Sequence, residues 1–306
     1  MNLIPSKQTH LYGLEKEFNE FVKLYNFKKL PNKILLSGQK SIGKCTLAYH
    51  LINFILSQNE EFSYNLDYLT INQKNKSFKL IQNGSNPNFI LIDVNPEKKS
   101  IDINQIRNLI SNINKSSLNS KPRFILIDNI EYLNLNSINA LLKILEEPNN
   151  NTYFILINNN KKITSTILSR CLNFNISLTN KKILSVSNKL LDDNIYKLIN
   201  KDLLNYYLTP GKIYNLVKFS KEKEIDLSNI NLNRFLSLLI NKAYYKEDNK
   251  VKTMIYDFVE IFLLKKISTL YYDLYSYFLK RIRNTKNFNL DEESLFLEIN
   301  SKLLNE

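Results

Sequence analysis

One nine-residue segment constrains this chain more than any other: Gly38-Gln-Lys-Ser-Ile-Gly-Lys-Cys-Thr46 lies between an apolar run and a stretch of helical period. The run is Lys33-Ile-Leu-Leu-Ser37, bounded by Pro31 and Gly38, and it reads as a buried strand. After the segment Leu47, Ala48, Leu51, Ile52, Ile55 and Leu56 recur at the spacing of one helix face. A glycine-rich turn from strand into helix converges backbone N–H groups and the helix N-terminus on one point, which is how a phosphate is cradled. Gly38 and Gly43 allow the tight loop, and Lys44 would reach the outer phosphates. The pattern also asks for Ser or Thr directly after the lysine, whose hydroxyl binds Mg²⁺. Cys45 stands there instead, and a thiol is a poor ligand for a hard cation. Thr46 comes one residue late, about 100° further round a helix. A chance glycine-rich turn is the competing reading, and the strand and helix on either side argue against it.

Strand and helix patterns keep alternating downstream. Phe89-Ile-Leu-Ile-Asp93, Arg123-Phe-Ile-Leu-Ile-Asp128 and Thr152-Tyr-Phe-Ile-Leu-Ile-Asn158 read as apolar strands. Ile103 to Ile113 has Ile103, Ile106, Leu109, Ile110 and Ile113 on one helical side, and Ser137 to Glu147 reads as a helix ended by Pro148. Continuous apolar strands between helices imply a parallel sheet covered on both faces. Residues 59–88, with their Asn, Lys and Ser and with Gly84, read as a strand or loop excursion without a functional assignment.

Beyond about residue 176 the strand-like runs stop. Lys181 to Asn200 reads as one helix, Thr209-Pro210-Gly211 as a break, and Asn233 to Tyr245 as a further helix. Lys250 to Arg283 is a long apolar helical stretch of one or two helices, and Asp291 to Leu304 closes the chain. The expected organisation is an α/β domain over residues 1–175, a small helical domain over 176–228 and a larger helical domain over 229–306.

Two further segments carry chemistry. Phe124-Ile-Leu-Ile-Asp128-Asn129-Ile-Glu131 is an apolar strand ending in Asp, which suits a Walker B motif with Asp128 near Mg²⁺. An active ATPase of this type usually has Glu next. Asn129 cannot act as a base, and Glu131, two residues on, is expected to point elsewhere. The plain alternative is that Asp128 only caps the next element. In Thr166-Ile-Leu-Ser169-Arg170-Cys171 the arginine is one of only six in the chain. An arginine supplied from a neighbouring subunit accelerates phosphoryl transfer, because its planar, permanently charged fork matches phosphate oxygens. A surface salt bridge is the plain alternative for Arg170.

Together these segments resemble the clamp-loader branch of the AAA+ family. Asn139 with Ala140-Leu-Leu-Lys-Ile-Leu-Glu-Glu-Pro148 is similar to its NALLK-LEEP helix, and Ser169-Arg170-Cys171 to its SRC motif. Pro210-Gly211-Lys212 resembles the PGR-type lid segment of delta-prime subunits, with lysine for arginine, and Tyr12-Gly13 resembles the segment near the adenine pocket. The motifs also occur in the family's order, over roughly residues 33–175.

The resemblance implies an AAA+-type α/β P-loop domain with a parallel sheet, then a small helical lid and a helical collar that oligomerises. It implies a delta-prime-like, non-hydrolysing subunit of a bacterial DNA polymerase III clamp loader, without polymerase activity of its own. Such a subunit helps load the sliding clamp onto primed DNA and lends Arg170 as an arginine finger to a neighbouring ATPase subunit. Its implied partners are the gamma/tau and delta subunits, the clamp, and primed DNA through the assembled hetero-oligomeric ring. Gly38, Gly43, Lys44, Cys45, Thr46, Asp128, Asn129 and Asn158 would line a degenerate ATP site. ATP with Mg²⁺ is the cofactor such a site suggests, and none is assigned. Motor subunits of the family typically carry four zinc-binding cysteines between the P-loop and Walker B. This chain has two cysteines in all, Cys45 and Cys171, so neither zinc nor another structural metal is expected and residues 59–88 read as a metal-free insertion. His10 and His50 read as ordinary surface or boundary residues. Two alternatives stay open. One is an active gamma/tau-type motor that binds Mg²⁺ through Thr46 or water. The other is a non-catalytic DNA-binding P-loop protein outside replication, which gives no reason for the SRC and NALLK-LEEP pair.

The 306 residues suit two or three domains. A net charge of +13 fits a phosphate-rich partner, although lysine excess on a solvated face explains it as well. The longest apolar runs fall short of the roughly 20 residues a membrane span needs. Met1 to His10 lacks the order of a signal peptide, so a cytoplasmic protein with no membrane partner is expected.

Overall fold

The computed structural model describes residues 3–95, 97–113, 120–146, 151–204, 208–265, 272–288 and 290–304. The helix end expected at Glu147 and Pro148 lies outside the described residues, as does 266–271 within the long C-terminal stretch. Among the described residues no helix is long and apolar enough to cross a membrane.

Strands β1 (Lys33–Ser37), β2 (Phe89–Ile92), β3 (Arg123–Ile127), β4 (Thr152–Asn158) and β5 (Leu172–Asn175) form a parallel sheet in the order β2-β3-β4-β1-β5. Helices α1 (Glu15–Asn26), α2 (Lys44–Leu56), α3 (Lys76–Gln82), α4 (Ile103–Ile113), α5 (Leu135–Glu146), α6 (Ser165–Leu168) and α7 (Asn180–Leu191) accompany them. Alternate strand residues face opposite sides. Ile34, Leu36, Phe124, Leu126, Ile155 and Ile157 share one core with Phe18 and Phe21 of α1 and Leu47, Leu51 and Ile55 of α2. Leu35, Ile125, Ile127, Phe154 and Leu156 share another with Ile106 and Leu109 of α4 and Leu141 and Leu145 of α5. Two covered faces explain why the central strands read as unbroken apolar runs. Truncating one such residue, as in Leu35→Ala, is expected to cost about 2–5 kcal/mol.

The chain divides into two compact units. One comprises Met1–Leu190 with Thr209–Lys212, the other Leu191–Leu208 with Ile213–Glu306. The second holds α8 (Ile195–Leu198), most of α9 (Pro210–Glu222), α10 (Leu232–Asn241), α11 (Asn249–Lys265), α12 (Tyr272–Phe288) and α13 (Glu292–Ile299). Buried aromatics pack it, Phe235 against Phe258 at 5.4 Å and Tyr245 against Phe296 at 4.8 Å between ring centroids. Asp291 caps α13 by accepting from the N–H groups of Glu293 and Ser294.

Three local readings change. Residues 59–88 contain α3, a helix, started by the Asn75 side chain accepting from Phe78 N–H and held by buried Ser77, Phe78 and Ile81. Lys181 to Asn200 is not one helix: Asp192 has φ +53°, and Asn194 starts α8 by accepting from Tyr196 N–H. His50 is neither surface nor boundary. It is fully buried in α2, its Nδ1 lies 2.8 Å from the Tyr64 hydroxyl, and burial lowers its pKa to about 4.

Candidate functional site

The turn between β1 and α2 is the expected loop. Gly43 occupies the residue before α2 with φ +111°, a conformation that side chains resist, so glycine is needed there. Gly38 enters the loop donating its N–H to Asn158 O at 3.2 Å. The first N–H groups of α2 therefore face the loop without helical partners, as a phosphate cradle requires.

Lys44 is turned into this loop. Only 2% exposed, its Nζ donates to Gly38 O at 2.8 Å, Gln39 O at 2.6 Å and Asn159 Oδ1 at 3.0 Å. An ammonium has three donors, and these contacts use all of them. Burial pulls its pKa down to about 8, against the pull of Asp128 and Glu131.

The acidic side of the site comes from an internal echo in the sequence. Phe89-Ile-Leu-Ile-Asp93 and Phe124-Ile-Leu-Ile-Asp128 are identical pentapeptides, and β2 and β3 pair residue for residue from Phe89 with Phe124 to Ile92 with Ile127. The two following carboxylates are thereby brought near each other. Burial, then the charge of Asp93, raise the Asp128 pKa to about 6. Burial, then the charge of Asp128, push the Cys45 thiol well above its ordinary range.

Asn129 replaces the expected base with an amide that joins a network. Its Nδ2 donates to Asp93 Oδ1 at 2.8 Å, and its Oδ1 accepts from Asn159 Nδ2 at 2.8 Å. Glu131 does not point elsewhere: its Oε1 accepts from Asn159 Nδ2 at 3.0 Å. Asn158, expected in the site, donates its amide to Lys161 O at 3.0 Å, and its neighbour Asn159 takes the position facing Lys44. Thr46 is half-buried on α2. With a thiol for the hydroxyl and an amide for the base, these side chains do not fit a magnesium-dependent nucleotide hydrolysis centre.

A strap crosses the same loop. Thr209 Oγ1 donates to Lys40 O at 2.9 Å, and Gly211 N–H to Ser41 O at 3.1 Å. A Cβ on Gly211 would lie 2.9 Å from Ser41 Cβ, so only glycine permits this approach. Near the other end of the site, Lys189 Nζ lies 5.2 Å from the centre of the Tyr12 ring, and Lys182 Nζ donates to Gly13 O at 3.1 Å.

Arg170 is treated differently. It follows α6 and precedes β5, with 29% of its side chain exposed. Its guanidinium pairs with Glu146 of α5 and donates to Thr166 O at 3.0 Å. The surface ion pair expected as the plain alternative is therefore present, and the arginine still reaches solvent. Exposed Leu168 and Leu172 flank it.

The profile of a family described as "DNA polymerase III, delta subunit" matches residues 13–180. The chain is similar to DNA polymerase III subunit delta' of Buchnera aphidicola subsp. Baizongia pistaciae (strain Bp), 31% identical over 183 residues, 58% of this chain and 51% of that protein. It is also similar to DNA polymerase III subunit gamma of Buchnera aphidicola subsp. Acyrthosiphon pisum (strain APS), 30% identical over 288 residues, 86% of this chain and 74% of that protein. The chain spans about half the length of the curated delta' relatives it matches. Among solved structures, a gamma subunit-related DNA polymerase III protein from Thermotoga maritima aligns with TM-score 0.51 at 16% identity, over 94% of this chain and 97% of that one. At that identity the likeness is one of fold.

Proposed function

The chain belongs to the DNA polymerase III delta-subunit family, and from that premise we propose that it is a stationary, delta'-like member of a clamp-loader ring. In this reading it does not hydrolyse ATP. It stands beside an ATPase subunit of the gamma/tau kind and presents Arg170 to the nucleotide held there. The ring, with its delta subunit, then loads the sliding clamp onto primed DNA.

The observation that carries the reading is the caging of Lys44, whose three donors are spent on Gly38 O, Gln39 O and Asn159 Oδ1. Beside it Cys45 stands where the Mg²⁺-binding hydroxyl is needed and Asn129 where the base is needed. Without those groups, what this chain can give phosphoryl transfer is a positive charge delivered to a neighbour. The test is ATP hydrolysis by a ring reconstituted with Arg170→Ala. A fall of about 10³-fold with assembly intact supports the role. Native turnover in that ring rules it out.

One observation favours a second reading. The gamma relative aligns over 86% of this chain and 74% of its own length. As a motor subunit, the chain would use Thr46 or water for Mg²⁺. Nucleotide turnover by the purified chain, abolished by Lys44→Ala, would select that reading.

A further inference from the structure

The Glu146 carboxylate accepts the Arg170 Nε–H at 3.2 Å and an Nη2–H of the same guanidinium. Thr166 O takes an Nη1–H at 3.0 Å. The guanidinium is thus held between α5 and α6. It has five donors in one rigid plane, of which these contacts use three. Ser169 Oγ, 3.5 Å from Nη1, is too far to hold another well. Among the described residues, the second Nη1 donor has only that long contact to Ser169 Oγ, and the second Nη2 donor has no partner. Two such donors side by side match two oxygens of a phosphoryl group. With 29% of the Arg170 side chain and 53% of the Glu146 side chain exposed, the pair lies where solvent reaches it.

An ion pair this exposed contributes little to folding. Its geometric effect is larger, because a long flexible side chain is fixed in one plane. We propose that Glu146 is a positioning residue, which holds the Arg170 guanidinium in the orientation that meets phosphoryl oxygens of a nucleotide bound by a neighbouring subunit. The inference rests on the reading of Arg170 as a group acting in trans. It gives the acidic end of the Asn139–Glu146 segment a role bound to Ser169-Arg170, so two segments read separately in the sequence act as one device.

The experiment measures kcat and KM for ATP in rings reconstituted with the full chain carrying Glu146→Ala, Glu146→Gln, Arg170→Ala, or Glu146→Ala with Arg170→Ala. Glu146→Ala is expected to lower kcat by about 10- to 100-fold with KM unchanged, since misplacement of a catalytic group costs that much. Glu146→Gln keeps an acceptor oxygen without the charge and is expected to fall between. In the double variant the Glu146 change adds nothing to the loss from Arg170→Ala. A native or raised kcat in the Glu146→Ala ring overturns the proposal and leaves the trans role of Arg170 standing. So does an additional loss in the double variant, because Glu146 would then act apart from Arg170. Native kcat in the Arg170→Ala ring instead overturns the underlying reading.

Discussion

Lys44 and Arg170 are both cations suited to phosphate, yet their surroundings differ at every point. Lys44 is 2% exposed, its three donors are taken by Gly38 O, Gln39 O and Asn159 Oδ1, and a strap from Thr209 and Gly211 crosses its loop. Arg170 is half-buried with 29% of its side chain exposed, and it is held by Glu146 and Thr166 O. The difference teaches how polar groups settle around a loop where a thiol and an amide stand in place of a metal ligand and a base. Once Cys45 and Asn129 replace a metal ligand and a base, the polar groups left behind still need partners. They find them in one another, because a buried polar group without a partner is costly. Arg170, with 29% of its side chain exposed, is under less of that pressure.

The contrast breaks most easily in the assembled ring. Arg170→Ala should lower ATP hydrolysis by about 10³-fold, whereas Lys44→Ala should leave it near native. Equal losses from the two would mean that both regions serve catalysis.

The next effect concerns the strap. Gly211→Ala places a methyl 2.9 Å from Ser41 Cβ and 3.0 Å from Ser41 O. Overpacking of this kind costs about 1–3 kcal/mol, read as a lower urea midpoint. An unchanged midpoint would mean that the strap does not hold the loop.

Of the same order is a pH effect at Asp128, whose pKa is raised to about 6 from an ordinary 3.8. The folded state favours the protonated form, so this group's contribution is present below the ordinary value and is lost as pH rises towards 6. Asp128→Asn cannot ionise and escapes that loss. Its stability relative to the native chain should therefore rise between pH 4 and pH 7, by about 1–3 kcal/mol. A melting difference that stays flat or falls over this range would mean that the acidic pair is not held as described.

Much of the sheet-bearing unit was legible in advance, since strands buried on both faces announce themselves as apolar runs. α4 starts at Ile103, where the spacing places it. β5 did not stand out, because its Leu172-Asn-Phe-Asn175 is short, polar and mostly exposed at the sheet edge. Residues fixed by a spacing rule, the two glycines, Lys44, Cys45 and Asp128, are ones the fold brings to the loop between β1 and α2 and the end of β3. Asn159 was missed because three asparagines in a row, Asn158 to Asn160, give no sign of which one turns inward. That choice follows from the register of β4, which ends at Asn158. Asp93 could have been found from the repeated Phe-Ile-Leu-Ile-Asp, once the two copies were taken as paired strands. The link from Glu146 to Arg170 joins residues 24 apart and depends on packing alone.

The central claim is that this chain turns over no ATP of its own. It is tested most directly by steady-state hydrolysis with the purified full chain and Mg²⁺, with and without primed DNA. The predicted result is a rate no higher than that of a Lys44→Ala control under both conditions. Clear turnover that primed DNA stimulates and Lys44→Ala abolishes would contradict it, and would make Cys45 and Asp128 parts of a working motor.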